Sequence, residues 1–187
     1  MDNKLNIIQT GFEGLLIIEP NSYRDERGAF SRIFCEDELK CIFKDNHIKQ
    51  INHSVTVEKG TVRGMHFQYP PYAEVKMVKC IKGSVYDVVI DIREKSETFL
   101  QSFTIALSSK NQKMIYIPEG FAHGFQTLED NSELVYFHSN IYTPKNEGAL
   151  NINDPLLSIN FPLDIINLSK RDEIHTFLDE NFKGIEI

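Results

Sequence analysis

The chain has 187 residues, 27 acidic against 20 basic side chains for a formal net charge of −7, and 41% hydrophobic residues. That composition supports one sizeable buried core and lies far from the low-hydrophobicity, high-charge corner of disordered chains. The acidity argues against gripping nucleic acid through the overall field, although a local basic pocket for a phosphorylated ligand stays open. The longest apolar runs, such as Gly14 through Ile18, are far shorter than the roughly 20 residues that cross a bilayer, so no membrane partner is expected.

The opening Met1-Asp2-Asn3-Lys4-Leu5-Asn6 lacks the charged-then-apolar order of a signal peptide. A strand is predicted at Leu15–Glu19, then a helix over Glu36–Lys44 with Leu39, Ile42 and Phe43 on one side. Strands follow at Val75–Ile81 and Ser84–Arg93. In the latter, Tyr86, Val88, Ile90 and Ile92 alternate with Asp87, Asp91 and Arg93, predicting one buried and one solvated face. Further strands are predicted at Phe103–Leu107, Met114–Ile117 and Leu134–His138, set off by Lys82-Gly83, Pro118-Glu119-Gly120 and Pro144 through Gly148. A second helix is expected over Ser169–Asn181, opened by a Ser-x-x-Asp cap. With no linker or repeat, the expectation is a single domain with a barrel core over about 14–165 and a C-terminal helical segment over about 169–181. It is mainly β, a barrel or jelly roll with a few peripheral helices. Cys35, Cys41 and Cys80 have no Cys-x-x-Cys spacing, which fits a reducing cytoplasm better than a disulfide framework or a zinc ribbon.

Two stretches could carry chemistry. In Arg63-Gly64-Met65-His66-Phe67-Gln68, His66 and Gln68 project to one side of a strand; Arg63 would face the other way unless Gly64 forms a bulge. In Pro118-Glu119-Gly120-Phe121-Ala122-His123, the Pro-x-Gly-x-x-His pattern resembles the second motif of cupin barrels. The matching first motif would be His-x-His, and the chain has His66-Phe67-Gln68. Two histidines are too few to hold a transition metal well, so the expectation is a cupin-like barrel with no metal.

These stretches, with Asp25-Glu26-Arg27-Gly28, Lys76-Met77-Val78-Lys79-Cys80, Gly124-Phe125 and Asn153-Asp154-Pro155, occur in one order and at compatible spacings. Over about Gly14 to Asp172 the chain resembles the dTDP-4-dehydrorhamnose 3,5-epimerases. The resemblance implies a cofactor-free epimerase that inverts C3, C5 or both in a nucleotide-linked 4-keto-6-deoxy sugar through an enolate, in the cytoplasm, for a surface glycan. It further implies a homodimer with exchanged N-terminal strands. By similarity His66 is the base, Asp172 its supporting carboxylate, Tyr142 the acid and Lys76 the cation near the C4 oxygen. Arg27 and Arg63 hold the diphosphate, Gln50 and Asn52 belong to the sugar pocket, and His123 lines it. Without the resemblance, Lys76 reads as surface charge, Tyr142 as a strand aromatic and Asp172 as a helix cap. The chain departs from the family pattern at Arg32, Ile152 and Arg171, where Glu, Trp and Lys are usual. Open alternatives are a single-centre epimerase on a CDP- or GDP-linked sugar, a non-catalytic ligand-binding cupin and a metal-dependent oxygenase.

Overall fold

The computed structural model describes residues 4–187, so Met1-Asp2-Asn3, part of the start read for a leader, lie outside the described residues. In chain order the elements begin β1 (Leu5–Gln9), β2 (Leu16–Pro20), β3 (Tyr23–Asp25), β4 (Gly28–Phe30) and α1 (Glu36–Phe43). The middle of the chain supplies β5 (Gln50–Thr56), β6 (Thr61–Gln68), β7 (Lys76–Lys82), β8 (Ser84–Asp91) and β9 (Ser102–Ser108). Then come β10 (Met114–Ile117), β11 (Phe121–Thr127), β12 (Ser132–His138), a 3₁₀ turn at Pro144–Asn146, β13 (Glu147–Ala149), β14 (Asn167–Leu168) and α2 (Lys170–Glu173). The predicted strands are all present, Met114–Ile117 end to end.

They form two facing sheets, in the orders β1-β2-β10-β7-β12-β5 and β13-β6-β11-β8-β9, with β14 parallel to one end of β6. β3 and β4 make a separate hairpin. This is the mainly β, jelly-roll architecture expected. Leu15, Val78, Cys80, Val85, Val89, Ile115, Phe121, Phe125 and Leu134 form the apolar core between the sheets. Two further clusters cover the outer faces: α1 lays Leu39 and Phe43 on Met77, Met114 and Tyr116, while Leu150, Ile152, Leu157 and Ile185 cover Val62, Val88 and Ile90. Ile152, standing where the family usually has Trp, is thus a packing residue.

Two expectations are corrected. The polar side of Ser84–Arg93 is not solvated: Asp87 and Asp91 are fully buried. Alternation separated the two faces of β8 correctly, but its apolar face is the outer one, covered by the C-terminal segment, and its aspartates point inward. The second helix ends at Glu173 rather than Asn181. Beyond it the backbone finds tertiary partners instead: the Asn151 amide donates to the carbonyls of Glu173 and His175, and the Leu178 amide donates to Asp154. Ile174 and Phe177 are exposed, while Leu178 and Phe182 pack on the cluster that covers Val62, Val88 and Ile90.

The expected irregularity at Gly64 is present. His66 pairs with His123 and Arg63 with Phe125, so three steps along β6 match two along β11. This register shift brings Arg63 and His66 to the same cavity. Gly64 has φ +130, and a Cβ there would lie 2.5 Å from the Gly124 Cα and 3.0 Å from the His123 carbonyl. Gly64→Ala is therefore expected to cost at least about 1–3 kcal/mol in denaturant unfolding and to lower turnover in whatever fraction still folds. An alanine protein with unchanged stability and activity would show that the bulge is not required.

Candidate active site

One end of the barrel opens into a cavity of about 1030 Å³. β6 and β11 supply Arg63, His66, Gln68 and His123 from one wall; β5, β7 and β12 supply Asn52, Lys76, Tyr136 and His138 from the other. Tyr142, Glu147, Arg171 and Asp172 complete the lining.

His66 Nε2 lies 2.8 Å from Asp172 Oδ1. Asp172 is held by the first turn of α2, where its backbone amide donates to the capping Ser169 hydroxyl at 3.1 Å. Capping and pairing therefore fall to neighbouring groups of one short turn. Burial opposes ionisation of Asp172, but hydrogen bonds from His66, Ser169 and the Gly64 amide outweigh it and hold the carboxyl below its usual range. Arg171 reaches within 3.2 Å of the same His66 nitrogen and donates to Glu147 at 2.9 Å. One Nε2 cannot donate to Asp172 and accept from Arg171 at once. The ionised carboxylate is the stronger acceptor, so Nε2–H goes to Asp172 and Nδ1 is the basic nitrogen.

Lys76, which composition alone would put on the surface, is buried on the opposite wall. Its ammonium is 3.2 Å from Glu74 and donates to the His66 carbonyl at 3.4 Å. His123 is also buried, with Nε2 2.9 Å from Asp87 Oδ2. Burial pushes the Asp87 carboxyl up against the pull of His123, and its Oδ1 has no hydrogen-bond partner.

Tyr142 lines the same cavity as His66. Its hydroxyl donates at 3.0 Å to Glu147, a residue of β13, in the same sheet as His66. Tyr136, on β12 of the facing sheet, turns its ring edge-on to His123 at 6.1 Å and stacks on His138 at 6.0 Å. Burial, then Asp87, raises its phenol above the ordinary value. Arg63 donates to Thr56 at 3.0 Å and lines the cavity. Gln50 bonds Asn52 at 3.2 Å and accepts from the Tyr142 backbone amide at 3.1 Å. Arg27 is not in this cavity within the chain: it sits on the exposed β3–β4 hairpin, paired with Asp25. Arg32 pairs with Glu38 of α1, also away from the cavity.

Sequence reasoning missed Tyr136, Glu74, His138 and Glu147. The signal for Tyr136 and His138 was available, since both share the inward face of Leu134–His138 with Leu134. Glu74 carried no signal. His66, Asp172 and His175 also offer three ligand atoms within 4.8 Å of one another, a spacing that could hold a metal ion. His66 and Asp172 use those atoms on each other.

Comparison with known proteins points one way. A family profile described as dTDP-4-dehydrorhamnose 3,5-epimerase matches residues 9–180. The chain is 38% identical to the dTDP-4-dehydrorhamnose 3,5-epimerase of Shigella flexneri over 90% of its own length and 93% of that protein. It is similar to the crystal structure of the enzyme of that name from Elizabethkingia anophelis NUHP1, with a TM-score of 0.89 and 33% identity over 96% of this chain and 100% of the other. It is similar also to a dTDP-6-deoxy-D-glucose-3,5-epimerase from Legionella pneumophila Philadelphia 1, solved in complex with dTDP-4-keto-L-rhamnose. There the TM-score is 0.85 and the identity 37%, over 90% of this chain and 89% of the other.

The lowered carboxyl of Asp172 gives a stability test with a definite sign. A carboxylate whose folded pKa lies below the unfolded value of about 3.9 stabilises fully above that value and loses the contribution as pH falls through the folded pKa. Asp172→Asn should therefore be less stable than wild type at pH 7 in urea unfolding, with the gap closing on acidification below about pH 4. A gap that stays constant to low pH would show that the pairing contributes nothing to stability.

Proposed function

The chain belongs to the dTDP-4-dehydrorhamnose 3,5-epimerase family, and on that premise we propose that His66 is the base that removes the protons flanking the C4 ketone of a dTDP-linked 4-keto-6-deoxy sugar. The chain is an epimerase. What carries the residue assignment is the 2.8 Å His66–Asp172 pair inside a cavity whose other wall presents a buried ammonium. Removal of the C3 or C5 proton leaves an enolate with charge on the C4 oxygen. Lys76 meets that charge, Asp172 stabilises the imidazolium that forms, and return of a proton to the opposite face inverts the centre. Arg63 at the cavity wall takes the diphosphate, as a guanidinium fork suits. Asn52 and His123 line the sugar pocket, and Gln50 fixes Asn52.

We assign the acid to Tyr136 rather than Tyr142. Two observations support this: Tyr136 comes from the sheet facing His66, and the Tyr142 proton is already given to Glu147. His66→Asn should lose deuterium exchange at both carbons by about 10²–10⁴-fold or more. Tyr136→Phe should wash deuterium from solvent into C3 or C5 faster than it forms inverted product, because the enolate is then reprotonated from the His66 side. Tyr142→Phe should keep exchange and inversion coupled. The opposite pattern in the two tyrosine variants would return the role to Tyr142.

The homodimer and its exchanged N-terminal segment are part of the same reading, and so is a cytoplasmic location, which the three free cysteines support. The dimer rests on exposed apolar residues at an edge: Ile51 and Val55 on edge strand β5, and Tyr23 and Phe30 on the β3–β4 hairpin. Such a hairpin could carry Arg27 to the partner's diphosphate site. If so, inactive Arg27→Ala and inactive His66→Asn proteins should regain activity when unfolded and refolded together, because one site of each mixed dimer then has both side chains. No regain, with mixed dimers demonstrated, would place Arg27 outside the site.

A further inference from the structure

Opposite His66 lies a third histidine–carboxylate pair, also buried. His138 Nδ1 is 2.9 Å from Glu74 Oε2, while the other Glu74 oxygen, Oε1, is 3.2 Å from the Lys76 ammonium. Lys76 and His138 are cross-strand partners on β7 and β12, and the carboxylate lies between their heads. All three side chains are close to fully buried. His138 Nε2 continues the contact chain to Asn52 Nδ2 at 3.4 Å.

The direction of every bond in this chain follows from its far end. The Tyr142 backbone amide can only donate, so the Gln50 atom that meets it is Oε1 and the Gln50 amide nitrogen faces Asn52. Asn52 must then present Oδ1 to Gln50 and its Nδ2–H to His138. That makes His138 Nε2 an acceptor and puts the ring proton on Nδ1, which donates to Glu74. Burial works against ionisation of Glu74, but the His138 bond and the Lys76 charge outweigh it and keep the carboxyl below its usual range, so it accepts from both neighbours.

We propose that Gln50, Asn52, His138 and Glu74 form a one-way hydrogen-bond relay, anchored on the Tyr142 backbone amide, that positions the Lys76 ammonium for the C4 oxygen. Glu74 and His138 are positioning residues: they act on the reaction through Lys76. Lys76 has four rotatable bonds and, without Glu74, a single 3.4 Å contact to the His66 carbonyl to hold it. The relay also explains why a histidine can sit neutral beside an ammonium: its second nitrogen accepts from Asn52 instead of carrying a proton.

This inference rests on the reading of Lys76 as the group that meets the enolate, and the experiment separates the two. In ¹⁵N-histidine-labelled wild-type protein at neutral pH, the His138 ring should show a protonated Nδ1 and an unprotonated Nε2. Glu74→Gln and His138→Ala should lower kcat by about 10²-fold, the size expected when a reacting group is misplaced by about 1 Å, with much smaller changes in KM. His138→Asn should recover part of the loss, because its amide nitrogen stands near the Nδ1 position, whereas His138→Gln should not. A proton on Nε2, or Glu74→Gln with near wild-type kcat while Lys76→Met is inactive, would overturn the relay and leave the Lys76 reading intact. An active Lys76→Met would instead remove the reading beneath it. Thermal unfolding of each variant identifies any that fail to fold, and the labelled wild-type ring tests the relay without them.

Discussion

The bond between His66 and Asp172 joins positions 106 residues apart and is where fold and chemistry meet. His66 reaches the cavity because Gly64 lets β6 slip one position against β11, and Asp172 reaches it because Ser169 caps a helix of a single turn. The C-terminal segment that delivers Asp172 is itself seated by packing on β6 and β8, through Leu150, Ile152 and Leu157. Losing that packing would unseat the carboxylate before it exposed much of the barrel core. A short, weakly helical turn suffices because the Asp172 side chain takes bonds from β6 as well as from its own turn.

The barrel interior is mixed. On β7 and β12 the inward positions run from Cys80, Val78 and Leu134 to Lys76, Tyr136 and His138, whereas on β8 and β11 Asp87 and His123 are set between the apolar Val85 and Val89 and between Phe121 and Phe125. A buried charge is tolerable only when paired, and the carboxylates here obey that rule. Asp172 has His66, Asp87 has His123, and Glu74 has both His138 and Lys76. Each pair joins a strand to another strand, to a loop or to α2, so the polar part of the barrel is cross-linked by its own charge pairing. Removing one partner would leave an uncompensated charge in the interior, which couples the stability of this part to the identity of its pocket.

Strand positions were legible because hydrophobic alternation and Gly/Pro punctuation are local. The same alternation misjudged β8, since it separates two faces but cannot say which one meets solvent when a polar cavity lies inside the barrel and a later segment covers the outside. Ser169 through Asn181 looked helical because a cap and charged residues begin it. What ends it after one turn is a set of bonds to Asn151 and Asp154, distant partners that no window of sequence contains. Of the site, His66, Asp172 and Lys76 could be named through resemblance. Resemblance pointed to Tyr142 as the acid, whereas the proposed assignment to Tyr136 turns on which sheet faces His66, a matter of tertiary structure that no local pattern carries. Glu74 meets His138 across 64 residues, a juxtaposition that follows from register between β7 and β12 and leaves no motif.

That register bears on how the proposed acid works. A tyrosine that delivers a proton must be protonated at rest, and burial together with the Asp87 charge keeps the Tyr136 phenol in that state. The same burial penalises the phenolate left behind after donation, so proton return needs compensating charge close by. Arg63 supplies it: of the charged neighbours that shift the phenol, its guanidinium favours the ionised form, while Asp87 opposes it. The Ser54 hydroxyl adds a smaller contribution in the same direction as Arg63. In the proposed mechanism Arg63 therefore serves two anions, the substrate diphosphate and the transient phenolate.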